Sequence, residues 1–375
     1  MKQSSRLTRR NFIKAPAAAA LAGAPAFLSA QSANDQVRVG MIGVGGRGTT
    51  LLRRVVQSPN VRIVAICDID PEARDRAAEI AAEHKPDLMT EYRKLLDRKD
   101  IDAIVIATPV DLHKEMALAA LEVHKHLYLE KPMGRTPEEV QAVMQAAAAS
   151  RGQLQLGFQL RYDPARIASI QHIQAGGIGP IAYMQANRHT PDLPREKDWL
   201  FRAEISGNSI VEQAVHIIDL MNWAMNTHPL QAYGSGGVNV YRDQPQGRTT
   251  WDNYIVIYEY PNDVRLAFSH LFIDPSGFSG IQERVWGAKG AIDLPQATVY
   301  LLDPQGRGGA EQRKLEFEEG VDATQRSLDA FFQFARDNQE PLNNAHWGRL
   351  ATLTAIMGRT AIEQKRVVKW EEVAV

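Results

Sequence analysis

Three features of the chain predict an α/β protein of two domains. Short β-branched runs alternate with helical stretches from Val37 to about Leu156, the pattern of a parallel sheet with helices on both faces. A glycine-rich turn, Gly43-Val44-Gly45-Gly46-Arg47-Gly48, joins the first strand of that region to its first helix. After Gly157 most strands follow one another without helices, which predicts an α+β domain with a large open antiparallel sheet. The expected layout is a leader over 1–30, a doubly wound Rossmann domain over 36–156 and a second domain over 157–375.

The leader contains Thr8-Arg9-Arg10-Asn11-Phe12-Ile13-Lys14, followed by an alanine-rich stretch to Leu28. This reads as a twin-arginine export signal, with cleavage after Ala26, Ala30 or Ser32; Ala30 is taken as the boundary. The stretch from Ala15 to Leu28 is too short, and too rich in Ala, Gly and Pro, to span a bilayer. Such signals move folded proteins, so the expected location is periplasmic or extracellular and the export machinery is an expected partner. Losing the five cations of the leader takes the formal charge from −1 to −6. A mildly acidic body without a basic stripe argues against nucleic acid as a partner. Cys67, the single cysteine, follows the apolar run Val61–Ile66 and reads as a buried strand residue.

In the first domain, strands are expected at Val37–Val44, Val61–Asp68, Ile101–Thr108 and Leu127–Lys131. Helices are expected at Pro71–His84 and Leu112–His124, and another starts at Thr136 with a capping box. In the second domain, strands are expected at Ile181–His189, Tyr233–Val240, Tyr254–Tyr260 and Val264–Phe272. Pro261-Asn262-Asp263 closes the last two into a hairpin. Two final helices, Gln325–Asp337 and His346–Lys365, are expected to pack back on one or both domains.

The glycine turn fits a dinucleotide fingerprint. Gly43 permits the tight turn, Gly45 lets backbone approach a pyrophosphate, and Gly48 lets helix and strand pack closely. Gly46 and Arg47 complete the loop. Asp68 ends the second strand, where a carboxylate hydrogen-bonds a ribose 2′-hydroxyl and disfavours a 2′-phosphate. NAD is the expected cofactor, with NADP left possible by the nearby Arg74 and Arg76. Thr108 and Pro109 end the third predicted strand, His113 follows in the first turn of the next helix, and Glu130 and Lys131 end the fourth strand. Carboxyl ends of parallel strands are where open α/β sheets bind ligands, so these residues join the expected cofactor site.

Lys131 reads either as an exposed strand-end cation or as a group that stabilises a developing alkoxide. A helix beginning after Gly207 supplies its counterpart. Glu212, His216 and Asp219 sit at i, i+4 and i+7 among apolar residues, so they share one face of a buried helix. An imidazole there with a carboxylate one turn away suits a general base. The alternatives are a structural hydrogen-bond network or a metal site, and no further ligand at metal spacing supports the latter.

Together these residues resemble the Gfo/Idh/MocA family, the glucose–fructose oxidoreductase and inositol dehydrogenase group. The likeness runs through the glycine turn, Ala107-Thr108-Pro109 with His113, and Glu130-Lys131-Pro132. It continues through Gly157-Phe-Gln-Leu-Arg-Tyr-Asp-Pro164, Glu212-xxx-His216-xx-Asp219 and Gly287-Ala-Lys-Gly290. The resemblance implies that Lys131 and His216 act on the reacting hydroxyl, with Glu212 as the acid four residues before the histidine. That acid is commonly aspartate in the family. The resemblance also implies that Arg161, Tyr162 and Asp219 bind substrate, and that Ala288 replaces a structural threonine.

The function so implied is exported NAD(P)-dependent oxidation of a sugar or polyol by a homo-oligomer that holds its cofactor tightly. Two alternatives stand beside it: a redox-neutral NAD-dependent glycosidase of the same superfamily, and a non-catalytic sugar-binding protein. The loop residues His189, Arg195, Asp198, Trp199 and Arg202 are expected near the approach to the site.

Overall fold

The structure is a computed structural model that describes residues 36–193, 198–242, 244–275, 278, 280–303, 305 and 310–374. The twin-arginine segment and Arg195 lie outside these residues.

The first half alternates strand and helix. Its elements are β1 (Val37–Ile42), α1 (Gly46–Val55), β2 (Val61–Cys67), α2 (Pro71–Ile80), β3 (Asp87–Met89) and α3 (Tyr92–Leu96). These are followed by β4 (Ala103–Ile106), α4 (His113–Glu122), β5 (His126–Leu129), α5 (Pro137–Ala149) and β6 (Leu154–Leu156). The six strands form one parallel sheet in the order β3-β2-β1-β4-β5-β6. The order in which strands are added reverses between β1 and β4, and such a switch point opens a crevice at the carboxyl edge. β3 and β6 are too short to carry a periodic signal, and the sequence reading passed over them. The predicted strands end one to two residues early, because Gly43, Asp68, Thr108 and Lys131 belong to the turns that form the crevice rim.

The second half contains α6 (Pro164–Gln174), β7 (Ile181–His189), α7 (Ala203–Ser206), a π-helical turn (Ile210–Ala214) and α8 (Val215–Met225). Then come β8 (Gln231–Gly237), β9 (Asn253–Tyr260), β10 (Val264–Leu271), β11 (Ile281–Gly287), β12 (Gly290–Asp293), β13 (Thr298–Leu302) and β14 (Ala310–Lys314). The chain closes with α9 (Ala323–Asp337), α10 (Ala345–Gln364) and β15 (Val368–Lys369).

Nine strands form the second sheet, ordered β14-β13-β12-β11-β7-β10-β9-β8-β15. It is the large, mostly antiparallel sheet expected, with β7 and β10 the one parallel pair among the described strands. The β9–β10 hairpin turns at Pro261–Asp263, with Asn262 at φ 63°, a left-handed conformation that asparagine tolerates. One face buries Tyr254, Tyr258, Tyr260 and Phe268 against α8 and α10, and Tyr260 donates to Asn222 Oδ1 at 2.7 Å. The other face leaves Tyr233, Ile255, Ile257 and Leu302 exposed.

The closing helices do return to the first sheet. Phe331 and Phe332 of α9 join the core beneath β1, and Arg54 pairs with Asp322 at 2.8 Å. On α10, the Thr352 hydroxyl accepts the Met133 amide proton at 3.2 Å, and Asn222 donates to Thr354 at 3.1 Å. α10 therefore ties the Glu130-Lys131-Pro132 turn to α8.

Candidate active site

A cleft of about 650 Å³ runs along the carboxyl edge of the parallel sheet. Gly43, Gly45, Gly46, Arg47, Asp68, Thr108 and Pro109 line one part of it, and Glu130, Lys131, Gln159, Trp199, Glu212 and His216 line the rest. Gly43 has φ +82°, which an L side chain rarely adopts. A Cβ on Gly48 would stand 2.0 Å from the Gly43 carbonyl oxygen, so this glycine is a packing residue and not a cleft wall. A Cβ on Gly45 would meet nothing within 4 Å, which leaves the start of α1 bare toward the cleft. Free helix N-terminal amides at that point suit a pyrophosphate. Asp68 accepts the Val44 amide proton at 2.7 Å and fixes the turn. Arg74 donates to the Asp68 backbone oxygen, and neither Arg74 nor Arg76 lines the cleft.

Two buried polar atoms at the rim have no hydrogen-bond partner, Thr108 Oγ1 and Arg47 Nη2. With the open glycine turn and Asp68, they make a donor and acceptor set that fits a dinucleotide. Arg47 Nε bonds Glu130 Oε1 at 2.7 Å, and Glu130 Oε2 accepts the Lys131 amide proton at 3.1 Å. The glycine turn and the lysine turn are thereby linked. The Lys131–Pro132 peptide is cis.

Lys131 Nζ donates to the Glu212 backbone oxygen at 2.6 Å and to Glu212 Oε1 at 2.8 Å. His216 shares the same wall. Its Nδ1 is buried without a partner, and its ring meets the edge of Phe158 at 5.9 Å. Burial, then the charges of Lys131, Arg188 and Arg47, hold its imidazole well below the usual range. The ring is therefore uncharged at neutral pH.

The π turn changes the arrangement the sequence suggested. Its i→i+5 bonding advances the register, so Glu212 reaches Lys131 instead of orienting His216. Asp219 turns away altogether. It forms a bidentate pair with Arg161 at 2.7 and 2.8 Å, and both side chains are enclosed, 1% and 0% exposed. Arg161 is further sandwiched by Trp223 and Trp347 at 4.9 and 4.2 Å. Tyr162 is buried too, its hydroxyl donating to Asn343 Oδ1 at 2.9 Å. The expectation that Arg161, Tyr162 and Asp219 bind substrate is thus corrected: none lines the cleft, because they form the core beneath it.

His113 is corrected likewise. It is 1% exposed, with Nδ1 2.7 Å from the Pro132 oxygen and Nε2 3.0 Å from the Thr108 oxygen. It pins two rim turns together from below and does not face a ligand. Cys67 is buried as expected but also borders the cleft, and burial with the adjacent Asp68 pushes its thiol up to about 11. Of the loop residues, Trp199 lines the cleft, Asp198 borders a separate small cavity, and His189 bonds Ser269 at 2.9 Å. Gln159, which lines the cleft, and Arg188, whose charge acts on His216, were not singled out in the sequence. An arginine in an inward strand register, after Met184 and Ala186, was the available signal.

Comparison with known proteins agrees with this fold. Residues 37–158 match the GFO_IDH_MocA profile, described as oxidoreductase family, NAD-binding Rossmann fold. Residues 170–370 match its companion, the C-terminal alpha/beta domain. Inositol 2-dehydrogenase of Salmonella typhimurium is 26% identical over 330 residues, covering 85% of this chain and 92% of that protein. A glycosyl hydrolase family 109 protein of Shewanella amazonensis is 31% identical over 206 residues, 48% of this chain and 45% of that one. A levoglucosan dehydrogenase in complex with NADH superimposes with a TM-score of 0.77 at 20% identity, covering 89% of this chain and 99% of that one, a likeness of fold.

Proposed function

The chain belongs to the Gfo/Idh/MocA family of NAD-binding oxidoreductases, and from that premise we propose that it oxidises a hydroxyl-bearing carbon of a sugar or polyol. The carrying observation is the Lys131 ammonium, fixed by Glu212 on the same wall as an uncharged His216. NAD, when bound, supplies the hydride acceptor. Two of the three protons on Lys131 are committed to Glu212, so the third is free for a reacting oxygen, whose developing negative charge the ammonium stabilises. His216 accepts the hydroxyl proton. Phe158 closes off one side of the imidazole and Trp199 walls the cleft, which limits water. Asp68, unaccompanied by a cleft-lining arginine of α2, favours NAD over NADP.

Hydride transfer from a panel of inositols, hexoses and anhydrosugars, read as reduced nicotinamide, tests the proposal. Lys131→Met is expected to lower kcat by about 10²–10⁴ while keeping dinucleotide affinity. Near-normal turnover in that variant would refute the role of Lys131.

A second reading is redox-neutral glycoside cleavage through the same Lys131–His216 pair, favoured by the partial likeness to the family 109 protein. Aglycone release from an aryl glycoside without net dinucleotide reduction would select it. We also propose that the chain is exported folded with its cofactor held; Arg9-Arg10 and the alanine-rich stretch support this. The exposed Tyr233, Ile255, Ile257 and Leu302 support homo-oligomer formation through the outer sheet face.

A further inference from the structure

The cleft wall that carries Lys131 and His216 has a further member that the reaction just described does not use, Gln159. It opens the short turn Gln159–Tyr162, and its neighbours in the chain are anchored to both halves of the reacting pair. On the lysine side, the Gly157 amide donates to the Leu129 oxygen at 2.8 Å. A Cβ on Gly157 would stand 2.7 Å from Glu130 Oε2, so the missing side chain lets this backbone pack directly on the Glu130-Lys131 turn. On the histidine side, Phe158 packs edge-to-face with His216, ring centroids 5.9 Å apart. Arg161, two residues past Gln159, is locked to Asp219, three residues past His216. That buried pair therefore fixes how far Gln159 stands from His216, which is the support a binding group needs.

The carboxamide itself is uncommitted. Its Oε1 is enclosed without a hydrogen-bond partner, and among the described residues its Nε2 donates to none. Gln159 lines the cleft while its oxygen is enclosed, so the amide nitrogen is the end the cleft meets. A half-buried donor on a fixed turn costs free energy until a ligand supplies an acceptor. Lys131 and His216 engage the reacting oxygen, so the acceptor for Gln159 is another oxygen of the same molecule. On a sugar or polyol the nearest one is the hydroxyl of the adjoining carbon.

We propose that Gln159 donates to the hydroxyl beside the reacting one, so that the cleft selects a vicinal diol over a lone carbinol. The inference rests on the reading of this cleft as a sugar or polyol site. Its test is titration calorimetry on the NADH-loaded protein with myo-inositol, glucose, galactose and levoglucosan, then with the monodeoxy analogues of whichever binds most tightly. Gln159→Met keeps the length of the side chain and removes the donor; Gln159→Leu takes its place if circular dichroism shows the methionine variant unfolded. The variant is expected to bind the intact sugar about tenfold more weakly. One monodeoxy analogue should lose the same factor on the unsubstituted protein and bind equally to both proteins, as a single shared hydrogen bond requires. A variant that binds the intact sugar unchanged overturns the proposal. So does one that weakens every monodeoxy analogue as much as the intact sugar, because the side chain then acts by packing alone. If none of the four binds the unsubstituted protein, the sugar-site reading itself falls and takes the proposal with it, so the two failures are told apart.

Discussion

Replacing Asp219 by alanine separates a structural ion pair from a substrate contact. The Asp219 carboxylate takes two hydrogen bonds from Arg161, at 2.7 and 2.8 Å, in a place water does not reach. Truncation leaves the guanidinium between Trp223 and Trp347 with no counter-charge. Breaking a buried pair from one side costs about 3–5 kcal/mol. The cation–π contacts, worth about 0.5–2 kcal/mol, remain in the variant and cannot replace the carboxylate. In a chain of this size the melting temperature should fall by about 4–7 °C. Circular dichroism melts of the cofactor-free protein measure this, with dinucleotide affinity as a second reading expected to hold at a temperature where the variant is folded. Removing both charges, Arg161→Met with Asp219→Leu, should recover most of the loss, since no unpaired ion is left behind. If Asp219→Ala melts within about 2 °C of the parent yet loses affinity for sugar, the structural reasoning is wrong.

Burial and three neighbouring cations keep His216 uncharged, so the acid limb of kcat/KM should lie below about pH 6.5, and a limb at or above that value would contradict the geometry. The same sign governs stability. His113, His216 and His270 all have imidazoles lowered first by burial, so below about pH 6.5 the unfolded chain takes up protons that the folded chain refuses. Their contribution is present above that pH and lost as pH falls; urea midpoints that rise on acidification from about pH 7.5 to about pH 5.5 would reverse the argument. The two glycines should separate folding from binding. Gly48→Ala forces a Cβ into the Gly43 carbonyl and should cost about 1–3 kcal/mol of stability together with dinucleotide affinity. Gly45→Ala meets open space, so it should weaken dinucleotide binding with an unchanged melt; a destabilised Gly45→Ala would refute that reading.

The parallel sheet was legible because its information is local. β1, β2, β4 and β5 are apolar runs ended by Gly43, Asp68, Thr108 and Lys131, and each of those turn residues reached the crevice rim or anchors it. Lys131, Glu212 and His216 were legible as types at the right spacing, and they do share one wall. Their pairing was not. Spacing on an ideal helix assigns Glu212 to His216, and one π-helical turn reassigns it to Lys131.

The buried set failed for a related reason. Arg161 and Asp219 look like cleft residues because a charge in sequence is presumed to seek water or ligand. Here each charge satisfies the other, 58 positions apart, and two indoles close over them. His113 likewise looks like a ligand residue, until the Pro132 and Thr108 carbonyls are seen to occupy its ring.

Sequence alone determined the order of strands and helices, the glycine turn and the residue types of the site, since these depend on periodicity and on backbone conformations that only certain residues adopt. Tertiary structure decided which charge meets which, Glu212 with Lys131 and Asp219 with Arg161. Hydrogen bonds and ion pairs act over a few ångströms, and folding sets those distances among residues far apart in the chain.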